Sequence, residues 1–164
     1  MYYCRPEREG DETTIHQLNA AAFPSPAEAE LVDALRVAGR LAISLVAADA
    51  DGVVGHIAFS PVTAGEHEGL GLAPVAVREA HRRRGVAAML VREGLAACEA
   101  LRSPFVVVLG DPAYYGRFGF VRAADFGLGN EYDVHDEFMV LALQSGGLPP
   151  RGTLVRYAPE FAWF

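Results

Sequence analysis

Three consecutive arginines, Arg82, Arg83 and Arg84, stand in the run HRRRGVAAML, which begins three residues after the apolar stretch LAPVAV. A helix beginning there carries roughly half a positive charge at its N-terminus, so cations at that point are unfavourable unless an anion joins them. Phosphate is the anion that suits the site. Gly85 lets backbone come close to a ligand, Ala87 keeps the first turn small, and the unpaired amides of that turn aim at its oxygens. Strand, basic glycine turn and helix together describe a seat for a pyrophosphate-bearing cofactor. Taken alone, the run also reads as a solvated basic helix end.

Other chemistries fail on spacing. Gly69 to Pro74, GLGLAP, approaches the dinucleotide fingerprint, but proline holds the sixth position and strand-like VAV follows where a helix should open. Neither a lysine-bearing phosphate loop nor a glycine-flanked nucleophilic serine occurs. His16, His56, His67, His81 and His135 lack metal-ligand spacing, so no metal is expected. His56 falls mid-strand, a structural or pocket position. Cys4 and Cys98 make neither a disulfide framework nor a cysteine metal site, and Cys98 sits in an apolar helical pattern as a buried small hydrophobe.

The elements that must hold the arginine turn follow from periodicity. A first strand is expected near Tyr2 to Arg5, a helix over Asp11 to Ala22 with Ile15, Leu18 and Ala22 on one side, and a second from Pro26 to Gly39. LAISLVAA, the Asp51-Gly52 turn and VVGHIAFSPV form a hairpin. Leu70 to Val77 is the strand entering the arginines, where Pro74 marks a bulge, an edge or an end of pairing. The helix after the arginines runs to about Leu101 with Val86, Leu90, Ala97 and Leu101 inward. Phe105 to Gly110 is apolar throughout, as in a strand covered on both faces. Asp111 and Pro112 start a short helix bracketed by Gly116 and Gly119. Phe120 to Phe126, Glu137 to Gln144 and Thr153 to Tyr157 read as late strands. The crossover from Val77 to Phe105 adds one parallel pair to an otherwise antiparallel sheet, giving a mixed α/β fold.

Residues 1–164 make one ordinary domain, with 51% hydrophobic and 21% charged residues and no long run of like charge. The net charge of −7 argues against a nucleic-acid partner and suits a cationic substrate. No stretch approaches the ~18 apolar residues of a membrane span and the N-terminus is polar, so a cytoplasmic protein with no membrane partner is expected.

The assembled motifs resemble the GCN5-related N-acetyltransferase (GNAT) superfamily. There an apolar strand end is followed by Gln or Arg, two residues, Gly, one residue, and Gly or Ala; here Val75, Ala76 and Val77 lead into Arg82, Gly85 and Ala87 at that spacing. Farther on, the family sets a tyrosine four residues before Gly-Phe, as Tyr115 precedes Gly119 and Phe120 in YYGRFGF. The block GDPAYYGRFGF is similar to a bacterial branch whose substrates are largely unassigned.

The resemblance implies the GNAT fold, with acetyl-coenzyme A as co-substrate on Val75, Ala76, Val77, Arg82, Arg83, Arg84, Gly85, Val86 and Ala87. Its pyrophosphate would lie on the arginine turn and its pantetheine arm along the backbone of Val75 and Val77. Tyr115 is then the acid for the leaving thiolate, with Tyr114 as its competitor. Transfer goes directly to a primary amine of a small-molecule or peptide acceptor, in a monomer or a homodimer. A non-catalytic acyl-coenzyme A sensor is the alternative. The glutamate that many relatives carry in the strand before the loop is missing from Gly69 to Val77, leaving the base unassigned; Glu66, His67 and Glu68 are candidates. Asp125, Asp133, His135, Asp136 and Glu137 make an acidic loop that could shape the acceptor pocket, or simply be solvated.

Overall fold

The computed structural model describes residues 1–163. In chain order its elements are β1 (Tyr3–Pro6), α1 (Glu12–Ala22), α2 (Ala27–Val37), β2 (Ile43–Asp49), β3 (Gly52–Ala64), β4 (His67–Val77), α3 (Val86–Ala100), β5 (Phe105–Leu109), α4 (Pro112–Tyr115), β6 (Val121–Arg122), β7 (Gly129–Asn130), β8 (Phe138–Ala142) and β9 (Leu154–Arg156). The strands lie in the order β1, β2, β3, β4, β5, β8, β6, and β9 pairs with both β3 and β7. Every pair along the main path is antiparallel except β4 with β5, which α3 connects. The expected mixed, mostly antiparallel sheet with its crossover helix is therefore present, but the expected single parallel pair is joined by a second, β7 with β9.

Burial follows the strand period of two. On β5, Val106 and Val108 join the core beneath α3 with Ile57, Phe59 and Leu90, whereas Phe105 and Val107 join Phe138, Val140 and Tyr157 in a second cluster. The unbroken apolar run of β5 is thus covered on both faces, as expected. Cys98 is fully buried.

Three expectations need correction. The inward stripe of α3 is Val86, Leu90, Val91, Gly94 and Cys98, with Ala97 half-buried against the same core; Leu101 is exposed because α3 ends at Ala100 and Leu101 is already its C-cap. Phe120 to Phe126 is not one strand: only Val121–Arg122 pairs, and Ala123–Phe126 coils into a 3₁₀ turn ending at left-handed Gly127. Strand β4 begins at His67 rather than Leu70, making a second long hairpin with β3.

Candidate active site

Strands β4 and β5 pair only over Leu70 to Leu72 against Val106 to Val108. Beyond that, β4 continues to Val77 alongside β3, while β5 ends at Leu109, so the two strands part. The separation begins at Pro74. Ala73 and Pro74 stand opposite the single residue Ala58, where the β3–β4 register shifts. Pro74 is thus both a bulge and the end of pairing with β5.

Backbone groups face this gap. Arg78 donates its N–H to the Val54 carbonyl at 2.8 Å. Antiparallel pairs alternate, so Ala76 turns its N–H and C=O toward His56, and those of Val75 and Val77 point away from β3 into the gap. Arg82 Nε donates to the Val77 carbonyl at 3.1 Å, which braces the turn. Two N–H groups and the Val75 carbonyl are left for a ligand lying alongside.

At the upper end of the gap, a 3₁₀ turn over Glu79–His81 leads into the arginines. Arg83 and Gly85 both adopt left-handed backbone, φ 63° and 79°, which turns the chain onto α3 with Gly85 as its N-cap. The first intrahelical bond runs from Met89 N–H to the Gly85 carbonyl, so the amides of Val86, Ala87 and Ala88 are the unpaired donors of the helix start. No side chain caps them. They open on a cavity of about 230 Å³ that also takes in Val77, Arg82, Arg83 and Gly85. Arg84 does not line it; the side chain turns aside to the Tyr2 hydroxyl at 3.5 Å. Arg117, unnoticed in the sequence, does line it, with its guanidinium 4.5 Å from the centre of the Tyr114 ring.

Where the strands part lies a second cavity, of about 370 Å³, bounded by Pro74, Val75, Val108, Leu109 and Tyr115. Asp111 caps α4 by accepting from Ala113 N–H at 3.0 Å, as its pairing with Pro112 predicts. A Cβ at Gly110 would collide with the Tyr115 ring, so glycine there is what admits the tyrosine. Tyr114 and Tyr115 consequently diverge: Tyr114 lines the arginine cavity and Tyr115 the second one. Burial pushes the Tyr115 phenol up to about 12, keeping it a protonated donor.

The remaining candidates are scattered. Glu66 occupies the tip of the β3–β4 hairpin; Glu68 stands seven residues before Val75, roughly 20 Å away along the strand, too far to act at the gap. Asp125, Asp133, His135, Asp136 and Glu137 are exposed, and Arg122 offsets part of their charge through a 3.6 Å contact to Asp136. His56 is fully buried: Asn19 Nδ2 donates to its Nδ1 at 3.1 Å, and its Nε2 meets Ser44 Oγ at 2.9 Å. Burial lowers its pKa to about 4, as suits a neutral structural imidazole. Burial also raises the Cys98 thiol to about 12, so it is no nucleophile. Among the described residues no cluster of His, Cys, Asp or Glu could hold a metal, and no helix is long and apolar enough to cross a membrane. Glu28, another residue the sequence did not single out, reaches the second cavity from the first turn of α2.

The same architecture recurs in known proteins. The acetyltransferase (GNAT) domain family matches residues 4–123. An uncharacterized N-acetyltransferase, YhbS of Escherichia coli K12, is 42% identical over 158 residues, covering 94% of this chain and 95% of YhbS. The crystal structure of Escherichia coli YhbS in complex with CoA superposes with a TM-score of 0.93 at 39% identity, over 98% of this chain and 92% of that one. A Brucella melitensis GNAT acetyltransferase in complex with acetyl-CoA gives 0.83 at 38% identity, over 98% of each chain. On this family match and these full-length relatives, the chain belongs to the GNAT family of N-acetyltransferases.

Proposed function

We propose that the chain binds acetyl-coenzyme A along the β4–β5 gap and transfers its acetyl group to a primary amine by direct attack. The relatives crystallised with CoA and acetyl-CoA support the choice of co-substrate. The observation that carries the reading is the order of features along the parted strands. Unpaired helix amides and arginines at one end suit a pyrophosphate, outward backbone groups on Val75 and Val77 suit the amides of a pantetheine arm, and a buried phenol borders the place where the strands part.

In the reaction the amine nitrogen forms a bond to the acetyl carbonyl carbon, the carbon–sulfur bond breaks, and its electron pair leaves on sulfur. An amine arriving as ammonium first loses a proton to solvent to become the nucleophile; the attacking nitrogen then sheds one further proton to solvent as the amide forms, and the sulfur gains one. Tyr115 is the donor assigned to the sulfur. A phenol near 12 is a weaker acid than an ordinary thiol near 8.5, so transfer in water would be uphill. Pro74, Val108 and Leu109 surround the sulfur's place with apolar surface, which raises the basicity of a thiolate there as it raises the phenol's pKa. Burial therefore raises both partners in the same sense, and the rise of the thiolate's basicity offsets that of the phenol's pKa.

Two measurements test the reading together. Acetyl-coenzyme A at 100 times its dissociation constant should stabilise the fold by about 2.7 kcal/mol. Thiol release should then require an added amine. The chain contains no lysine, its fourteen Lys and Arg positions all being arginine, so lysine self-acetylation cannot supply that thiol. Binding without amine-dependent release would turn the reading toward a sensor, and absence of binding would overturn it.

A further inference from the structure

A third cavity, of about 250 Å³, opens beside the second and shares Glu28, Leu72, Ala73 and Leu109 with it. Resting on the transferase reading, we propose that this cavity takes the acceptor as a primary ammonium on a small apolar or aromatic body, selected by the carboxylate of Glu28.

The walls argue for the body. Leu31 of α2 faces an aromatic series contributed by distant segments, Tyr132, Tyr157 and Phe161, whose neighbouring ring centroids lie 5.8 Å and 5.0 Å apart. Beyond the phenol groups of Tyr132 and Tyr157, the latter buried and unpaired, these side-chain walls add little hydrogen bonding, so acceptors rich in hydroxyls would lose more hydration than they recover. The volume falls below the ~300–1,000 Å³ of sites for drug-sized ligands, so the occupant is small.

Charge argues for the ammonium and for its position. Glu28 is half-buried, and no basic side chain lines this cavity, so a cation is the complementary ligand. Because Glu28 borders both cavities, a nitrogen held there sits between the aromatic walls and the cavity assigned to the thioester. The wall is also fixed in place. Arg40 grips Glu160 through two charged hydrogen bonds of 2.6 and 2.7 Å, and Phe161 follows Glu160 directly. Glu131 accepts the Tyr157 N–H at 2.7 Å, adding a second tie behind the wall.

The test measures binding of phenethylamine and 2-phenylethanol to protein saturated with coenzyme A, by calorimetry, in wild type and Glu28→Gln. Phenethylamine is expected to bind at least about tenfold more weakly to the variant, while the uncharged alcohol binds both proteins alike. Equal phenethylamine affinity in the two proteins would overturn the role of Glu28. Spermidine or glucosamine displacing phenethylamine at lower concentration than phenethylamine's own would overturn the apolar body. If binding follows expectation and acetyl-coenzyme A still releases no thiol with phenethylamine, the acceptor cavity stands and the transferase reading falls instead.

Discussion

Tyr114 and Tyr115 meet edge to face, with ring centroids 5.1 Å apart and planes at 86°. That near right angle between sequence neighbours divides two tasks. Tyr114 lies under the Arg117 guanidinium at the arginine cavity, and Tyr115 packs on Phe120 at 5.8 Å while bordering the cavity beside Val75. Substitutions at the two positions should therefore change different quantities.

The glycine turn should be sensitive to charge rather than to bulk. Gly85 has φ 79°, no atom lies within 4 Å of the place a Cβ would take, and Asp and Asn both tolerate left-handed backbone better than other residues. Gly85→Asp is expected to weaken coenzyme A binding by about tenfold or more through repulsion of the phosphates. Gly85→Asn should stay within a few fold, and both should melt close to wild type. Calorimetric titration of the two variants checks this, and equal affinities would remove phosphate from this turn.

The pH profile follows from Tyr115. An ordinary phenol would lose its proton near pH 10, but burial moves this one to about 12, so it remains a donor throughout the accessible range. With an amine of pKa near 10, kcat/KM should climb with unit slope as the amine deprotonates and show no fall below about pH 10.5. A descending limb near pH 9 to 10 that vanishes in Tyr115→Phe would restore the phenol to its ordinary value.

Acid stability should report on His56. Its folded pKa, about 4, lies below the unfolded value near 6.5, so the unfolded chain binds the proton first. The contribution is complete above pH 6.5 and is lost as pH falls toward 4, with a slope approaching about 1.4 kcal/mol per pH unit. Glu7, held below its ordinary pKa by Arg36 and Ser44 hydrogen bonds against its own desolvation, adds to the loss only below about pH 4.5. Urea unfolding of wild type and His56→Gln between about pH 4.5 and 7.5 should give the flatter dependence in the variant. Parallel curves would mean that His56 takes up its proton alike in the folded and unfolded chain, its pKa unshifted by burial.

Local signals were legible in the sequence and long-range placement was not. Asp111 before Pro112, the apolar run of β5 and the glycine after three arginines each state a local requirement, and each appears as expected. The split of Phe120 to Phe126 was hidden because Val121 and Phe126 are apolar yet exposed, at 42% and 40%, so composition mimicked a strand that burial does not enforce. Glu28 and Arg117 were missed for another reason. Their importance arises where α2 and the turn after α4 meet the parted strands, a juxtaposition that no spacing within either segment records.

The most direct measurement is single-turnover acetyl transfer by Tyr115→Phe and Tyr114→Phe, with coenzyme A affinity determined alongside. Loss of the Tyr115 hydroxyl should slow the chemical step by about 10²-fold or more while affinity stays within a few fold, and Tyr114→Phe should be mild in rate. If Tyr115→Phe transfers acetyl at the wild-type rate, the thiolate leaves without that proton and Tyr115 has no part in the chemistry.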